Sequence, residues 1–263
     1  KAYRFSIDWA RVLPEGTGRV NEEGIRFYSN LIDALIENNI EPYITLYHWE
    51  LPYELYKKGG WMNRDIAEWF GEYAGLVAER FSDRVTHFFT LNEPQCFVGL
   101  GFLTGVHAPG LKCPVRDTFE MAHNALRAHG RAVQMLRRHA KQPLTIGYAP
   151  TSGIIYPASD RPEDIEAARK KYFSMPEDDS NWTWNVAWWS DPVLLGKYPE
   201  EGLKNMRNIF RRSRRRICVL FLSRSMCTGR IFIMGEHSAW AQMEILRRSG
   251  VCREPVKLRS TGR

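Results

Sequence analysis

The stretch HFFTLNEPQ, residues 87–95, sets the reading of the whole chain. An apolar run rich in aromatic residues stops abruptly at Asn92-Glu93-Pro94. The run has the composition of a strand buried on both faces, and proline cannot continue a ladder that needs its N–H. A buried strand that delivers an amide and a carboxyl group at its tip is built to present them.

Working outward, the same arrangement recurs. Ala2 to Ile7 reads as a strand, as do Pro42 to Tyr47, Val85 to Leu91 and Leu144 to Tyr148. Helical patterns lie between them. One is capped by Asn21 and carries Ile25, Tyr28, Leu31, Ile32, Leu35 and Ile36 on one face. Another opens at Asn63 or Asp65 and carries Ile66, Trp69, Phe70, Tyr73 and Val77. A long one runs to about Ala140, and the Asp117–Glu120 spacing of a capping box predicts its start. Pro162 opens a further helix. Strand–helix alternation with apolar strands predicts an α/β fold with a parallel sheet. The strand tips at Asp8, His48, Glu93 and Ala149 are 40, 45 and 56 residues apart, which suits βα units with decorated loops. A doubly wound sheet competes, but no GxGxxG loop follows any strand. A (β/α)8 TIM barrel, or part of one, fits better, and such barrels carry their chemistry at the C-terminal ends of the strands.

Three tips are both polar and aromatic: RFSIDWAR (4–11), YHWELP (47–52) and TLNEP (90–94). On one barrel rim they would bring together Arg4, His48, Trp49, Asn92 and Glu93. Polar groups of this kind bind hydroxyls, and indole faces stack on a pyranose. Glycosidic bonds are cleaved by paired carboxylates, so Glu93 becomes a candidate acid. Each residue also has a plainer reading: Glu93 as a structural carboxylate, His48 and Trp49 as core, Arg4 as an ion-pair partner. His123 and His129, six apart on one helix, read as structural or surface. The Trp-rich run NWTWNVAWW (181–189) reads as packing for a helix.

With RFSIDW, YHWELP, TLNEP and HAPG (107–110) in this order, the chain resembles glycoside hydrolase family 1, the β-glucosidase family, over about residues 1–205. The resemblance implies a partial TIM barrel, about strands 2 to 5 of eight with their helices. It also implies a retaining β-glycosidase that releases terminal β-linked glucosyl residues by double displacement, with no metal or organic cofactor. Glu93 would be the general acid/base. Asn92 would hold the sugar 2-hydroxyl, His48 and Trp49 would bind other hydroxyls, and Arg4 would support the nucleophile. The family often has Trp after the Pro of this motif; here the residue is Gln95. The family's nucleophile lies in a Thr-Glu-Asn-Gly strand tip, and no such tetrapeptide occurs here, so the chain is expected to be inactive as it stands. A non-catalytic sugar-binding fragment is one alternative, and nucleic-acid binding through the basic tail is a second, less favoured one.

Charge divides the chain. From Met206 onward, 13 Arg and 1 Lys face 3 Glu, a net +11, which leaves −4 for residues 1–205 out of the total of +7. Residues 206–263 are therefore read as an aberrant, Arg-rich segment, out of frame or non-native and poorly ordered. Its basic cluster RRSRRR is not interleaved with aromatics and sits in no nucleic-acid module, so the expected partner is a small β-glucoside, not nucleic acid. The apolar runs fall short of the ~18 residues of a membrane span. No leader is visible, and five cysteines without metal or disulfide spacing point to the cytoplasm.

Overall fold

A computed structural model describes residues 1–175, 182–206 and 231–233. Five strands form one parallel sheet in the order β1 (Ala2–Ser6), β2 (Glu41–Tyr47), β3 (His87–Asn92), β4 (Thr145–Ala149) and β5 (Ile231–Ile233). Sequential order without a switch point is the ordering of a barrel wall, not of a doubly wound sheet. The expected partial (β/α)8 architecture is what the described residues form. The remainder of the Arg-rich segment, including RRSRRR, lies outside them.

The four expected strands are all present. Their two faces are sorted by register, since side chains alternate along a strand. Arg4, Tyr43 and His87 lie side by side across β1–β3, and Ser6, Thr45 and Phe89 form the next row. The opposite face packs on α2 (Glu22–Glu37), α4 (Ile66–Phe81) and α6 (Val115–His139). Asn21 caps α2 through Glu23 N–H, as its sequence suggests. α6 opens two residues before the expected capping box. Pro114, at φ −53° and ψ 140°, occupies the N-cap, so Asp117 sits inside the first turn and no side-chain cap bond forms.

Aromatic packing holds the helices to the sheet. Trp9, at the start of the short helix α1 (Trp9–Val12), stacks on Tyr73 of α4 with ring centroids 5.1 Å apart. The buried Tyr73 hydroxyl lies within hydrogen-bond reach of the carbonyls of Ile7 (3.1 Å) and Leu46 (3.0 Å), tying the ends of β1 and β2 together. α4 and α6 approach closely at Gly71, where a Cβ would come within 2.5 Å of Arg131 Cγ. In the Trp-rich run, Trp182, Trp188 and Trp189 are buried and Trp184 is half exposed. Trp182 stacks on Phe119 of α6 with centroids 3.9 Å apart, so the run does seat α8 (Val186–Leu194) on the wall. His129 is buried in α6 and pairs with Thr90 Oγ1 at 2.7 Å, and His123 pairs with the Tyr198 hydroxyl at 2.9 Å; both are structural. The helices α3 (Tyr53–Lys57), α5 (Pro94–Val98), α7 (Pro162–Phe173) and α9 (Glu200–Asn205) complete the described elements, with short 3₁₀ and π turns between them. No helix among the described residues is long and apolar enough to cross a membrane.

Candidate active site at the strand tips

The C-terminal ends of β1, β2 and β3 meet in a hydrogen-bonded chain. Arg4 on β1 donates from Nε to Thr45 Oγ1 at 2.7 Å and from a terminal nitrogen to Asn92 Oδ1 at 2.6 Å. Its guanidinium also lies over the Phe89 ring, 4.7 Å from the centroid. Because Asn92 Oδ1 accepts from Arg4, the amide nitrogen must face the other way. It meets His48 Nε2 at 3.2 Å. His48 therefore accepts at Nε2 and carries its proton on Nδ1, which lies 3.3 Å from Ser6 Oγ. One chain of bonds thus fixes both the Asn92 orientation and the His48 tautomer. The Trp49 indole N–H donates to the Asn92 carbonyl at 2.9 Å, which leaves the indole face rather than its nitrogen to meet a ligand.

Glu93 follows directly. Its backbone is left-handed, at φ 44° and ψ 65°, and Trp49 also has positive φ, at 91°. For residues with a Cβ this conformation costs ~1–2 kcal/mol, and it persists only where the surroundings impose it. Glu93 N–H donates to Ala149 O on β4 at 2.7 Å, and Pro94 starts α5 at once. The turn thereby lifts the carboxyl group off the strand line while Asn92 stays 5% exposed beneath it. The Cys96 thiol lies 3.6 Å from Glu93 Oε2; burial first, and the carboxylate second, push that thiol up to about 12, so it stays protonated as a donor. At Arg4 burial lowers the pKa and the Glu93 carboxylate opposes that shift.

All five residues singled out in the sequence thus lie at one rim. Ser6, Thr45, Cys96 and His107 were not singled out. Ser6 and His107 lie inside RFSIDW and HAPG, and His107 stands beside Trp49 with ring centroids 5.6 Å apart. Ala108–Pro109 in the same loop is a cis peptide. What the rim offers a ligand is a carboxyl group, the second Asn92 amide hydrogen, unused guanidinium hydrogens and an aromatic wall. That donor set suits a polyhydroxylated ring. Among the described residues no group of three or more His, Cys, Asp or Glu could hold a metal ion.

The model of glycosyl hydrolase family 1 matches residues 1–221. The chain belongs to glycosyl hydrolase family 1. The family match runs past residue 205, where the resemblance was expected to end, and stops at 221. A 1,4-beta-D-glucan glucohydrolase of Thermotoga neapolitana is 47% identical over 214 residues, covering 81% of this chain and 48% of the relative. Beta-glucosidase A of Acetivibrio thermocellus is 46% identical over 204 residues, 78% of this chain and 43% of its own. Among solved structures, the β-glucosidase from Thermotoga maritima in complex with deoxynojirimycin superposes with a TM-score of 0.68 at 45% identity, over 80% of this chain and 45% of that one. The chain thus spans about half the length of the family 1 relatives it matches.

Proposed function

We propose that this chain carries the acid/base half of a retaining β-glycosidase that releases terminal, unphosphorylated β-glucosyl residues from small glucosides. Glu93 protonates the departing glycosidic oxygen and then takes a proton from the attacking water. Asn92 holds the 2-hydroxyl with its free amide hydrogen. Arg4 and His48 fix Asn92 in that orientation, and Trp49 walls the sugar ring. The observation that carries this reading is the left-handed turn that raises Glu93 beside the Arg4–Asn92–His48 chain. Names of the relatives support the substrate class, since two of them are β-glucosidases and one a glucan glucohydrolase.

Double displacement needs a second carboxylate ~5 Å from the first, which acts as nucleophile. In this reading that carboxylate is not supplied by residues 1–205, and the isolated chain turns over an aryl β-glucoside negligibly. Clear turnover by the chain alone, abolished by Glu93→Gln, would overturn that part. The role of Glu93 is tested in a chimera in which residues 1–205 replace the matching segment of the Thermotoga maritima enzyme, whose own remaining strands, before and after it, complete the barrel. There Glu93→Gln should slow cellobiose hydrolysis by ~10²–10⁴-fold. It should leave the first step on 2,4-dinitrophenyl β-glucoside nearly intact, because that leaving group needs no proton. Equal losses on both substrates would refute an acid role.

The charge reversal near residue 205 supports reading most of 206–263 as non-native to the barrel, although the family match runs to 221 and residues 231–233 pair with β4. Translating the encoding DNA beyond codon 205 in the other two frames tests this; a strand of the type Asp-Phe-x-Gly-x-Asn-Tyr should emerge in one of them. Cytoplasmic location is our reading of the cysteine pattern, and Cys96 and Cys113 are free thiols in the structure.

A further inference from the structure

Gln95 follows the acid/base motif, is fully buried at 0% exposure, and has no part in the proposed chemistry. Its carboxamide reads both backbone groups of one distant residue. Nε2 donates to Thr151 O at 2.7 Å, and Thr151 N–H donates to Oε1 at 3.3 Å. Thr151 lies just past the end of β4, whose last residue, Ala149, accepts the Glu93 N–H. Two connections therefore bracket Glu93: its own N–H to Ala149, and the side chain two residues on to Thr151.

Regular structure holds this turn only in part: Glu93 N–H donates to Ala149 O at 2.7 Å and Cys96 N–H donates to Glu93 O at 2.9 Å. The β3–β4 pairing shifts register between Phe89 and Asn92, so the ladder is irregular just where Glu93 leaves it. α5 is five residues long and runs straight into the π turn 99–103, a helical run of ten residues that is still too short to be stable by itself. Yet Glu93 adopts a left-handed backbone that an unconstrained glutamate leaves. Two backbone bonds alone do not account for it, and the Gln95–Thr151 pair supplies a further tie.

We propose that Gln95 is a positioning residue whose carboxamide clamps the β4 exit at Thr151 to the Glu93 turn, holding the acid/base carboxyl group in its raised conformation. Only a side chain with a donor and an acceptor at this reach closes both bonds. The catalytic meaning of the clamp rests on Glu93 being the acid/base.

The test is amide hydrogen exchange on the full chain, resolved to the Glu93 and Thr151 amides, which reads no turnover. A failed clamp is thereby told apart from a failed assignment of Glu93. Gln95→Met keeps the length and removes both bonds. It should speed exchange at Glu93 and Thr151 at least ten-fold while α4 and α6 keep wild-type protection. Gln95→Glu supplies a finer readout. A protonated carboxyl group can donate to Thr151 O and accept from Thr151 N–H, as the amide does; a carboxylate cannot donate. The β4 exit it faces, 149–153, carries no ionisable side chain, and Glu93 and Cys96 are the titratable groups beside it on its own segment. Relative to wild type at each pH, Gln95→Glu should be protected at pH 5 and fast-exchanging at pH 8.5. The proposal is overturned if Gln95→Met leaves the Glu93 amide as protected as in wild type. It is equally overturned if Gln95→Glu shows no difference between the two pH values, an arm that stands even if Gln95→Met does not fold.

Discussion

Replacing Arg4 with Met tests whether the rim is one bonded unit or a set of neighbours. The guanidinium makes two charge-assisted bonds, to Thr45 Oγ1 and Asn92 Oδ1, on residues 1% and 5% exposed. Bonds of this class contribute ~1.5–3 kcal/mol each, and each acceptor left dry adds to the loss. Met spares the cost of burying a charge and keeps an apolar stem over Phe89, which offsets part of it. The net expectation is a loss of about 2–3 kcal/mol. With a urea m-value of about 2.5 kcal/mol per M, the midpoint should fall by about 1 M, followed by Trp fluorescence. Arg4→Lys keeps the charge without the fork and should recover less than half. A second readout is the His48 ring. Without Arg4 the Asn92 amide is no longer oriented, so the proton on His48 should no longer be confined to Nδ1 in ¹⁵N spectra. A midpoint within about 0.2 M of wild type, with the tautomer unchanged, would refute the reasoning.

Three other changes follow from packing and titration. Burial holds His129 down to about 3 and, with Arg127 and Arg64 nearby, His123 down to about 4. Both stay neutral in the fold while the unfolded chain protonates near 6.5, so stability is full above about 6.5 and falls as pH drops toward 4. Thermal melts should show this acid slope, and His129→Leu should flatten it by about half. Asp191 is pushed up to about 6 by burial, against the pull of Lys197. Its folded pKa is raised, so the neutral form stabilises the fold below the unfolded value of 3.8, and that contribution is lost as pH rises through 6. Asp191→Asn should therefore raise the melting temperature at pH 8 and change it little at pH 4. Gly24→Ala should cost at least ~2 kcal/mol, because its Cβ would meet the Arg11 carbonyl oxygen at 2.2 Å, a backbone atom that cannot step aside; an unchanged melting temperature would contradict this close approach of α1 and α2.

The strands were legible because a parallel wall demands long apolar runs, and HFFTL and YITLY leave no other reading. The rim was legible because polar residues at such tips have no packing reason to be there. Local details were less so. The capping-box spacing at Asp117 placed the N-cap three residues too far along, because the proline before the helix ends the extended chain earlier and sets the entry itself. The positive φ of Trp49 and Glu93 had no sequence signal, since neither is Gly or Asn. The His48 tautomer likewise depends on Ser6 and Arg4, 42 residues away for Ser6, and no local pattern contains it. In sequence Gln95 was only a departure from the Trp the family often has there, and its buried pairing with Thr151 depends on a residue 56 positions on, just past β4.

Glu93 is the centre of the proposed chemistry, and azide rescue addresses its role most directly. In the chimera, Glu93→Ala on 2,4-dinitrophenyl β-glucoside should accumulate the glycosyl-enzyme, because no base is left to activate water. Azide needs no such base. It should enter the space vacated by the carboxyl group, restore turnover and give β-glucosyl azide, the retained product. No rescue by azide, or release of the α-azide, would contradict Glu93 as the acid/base.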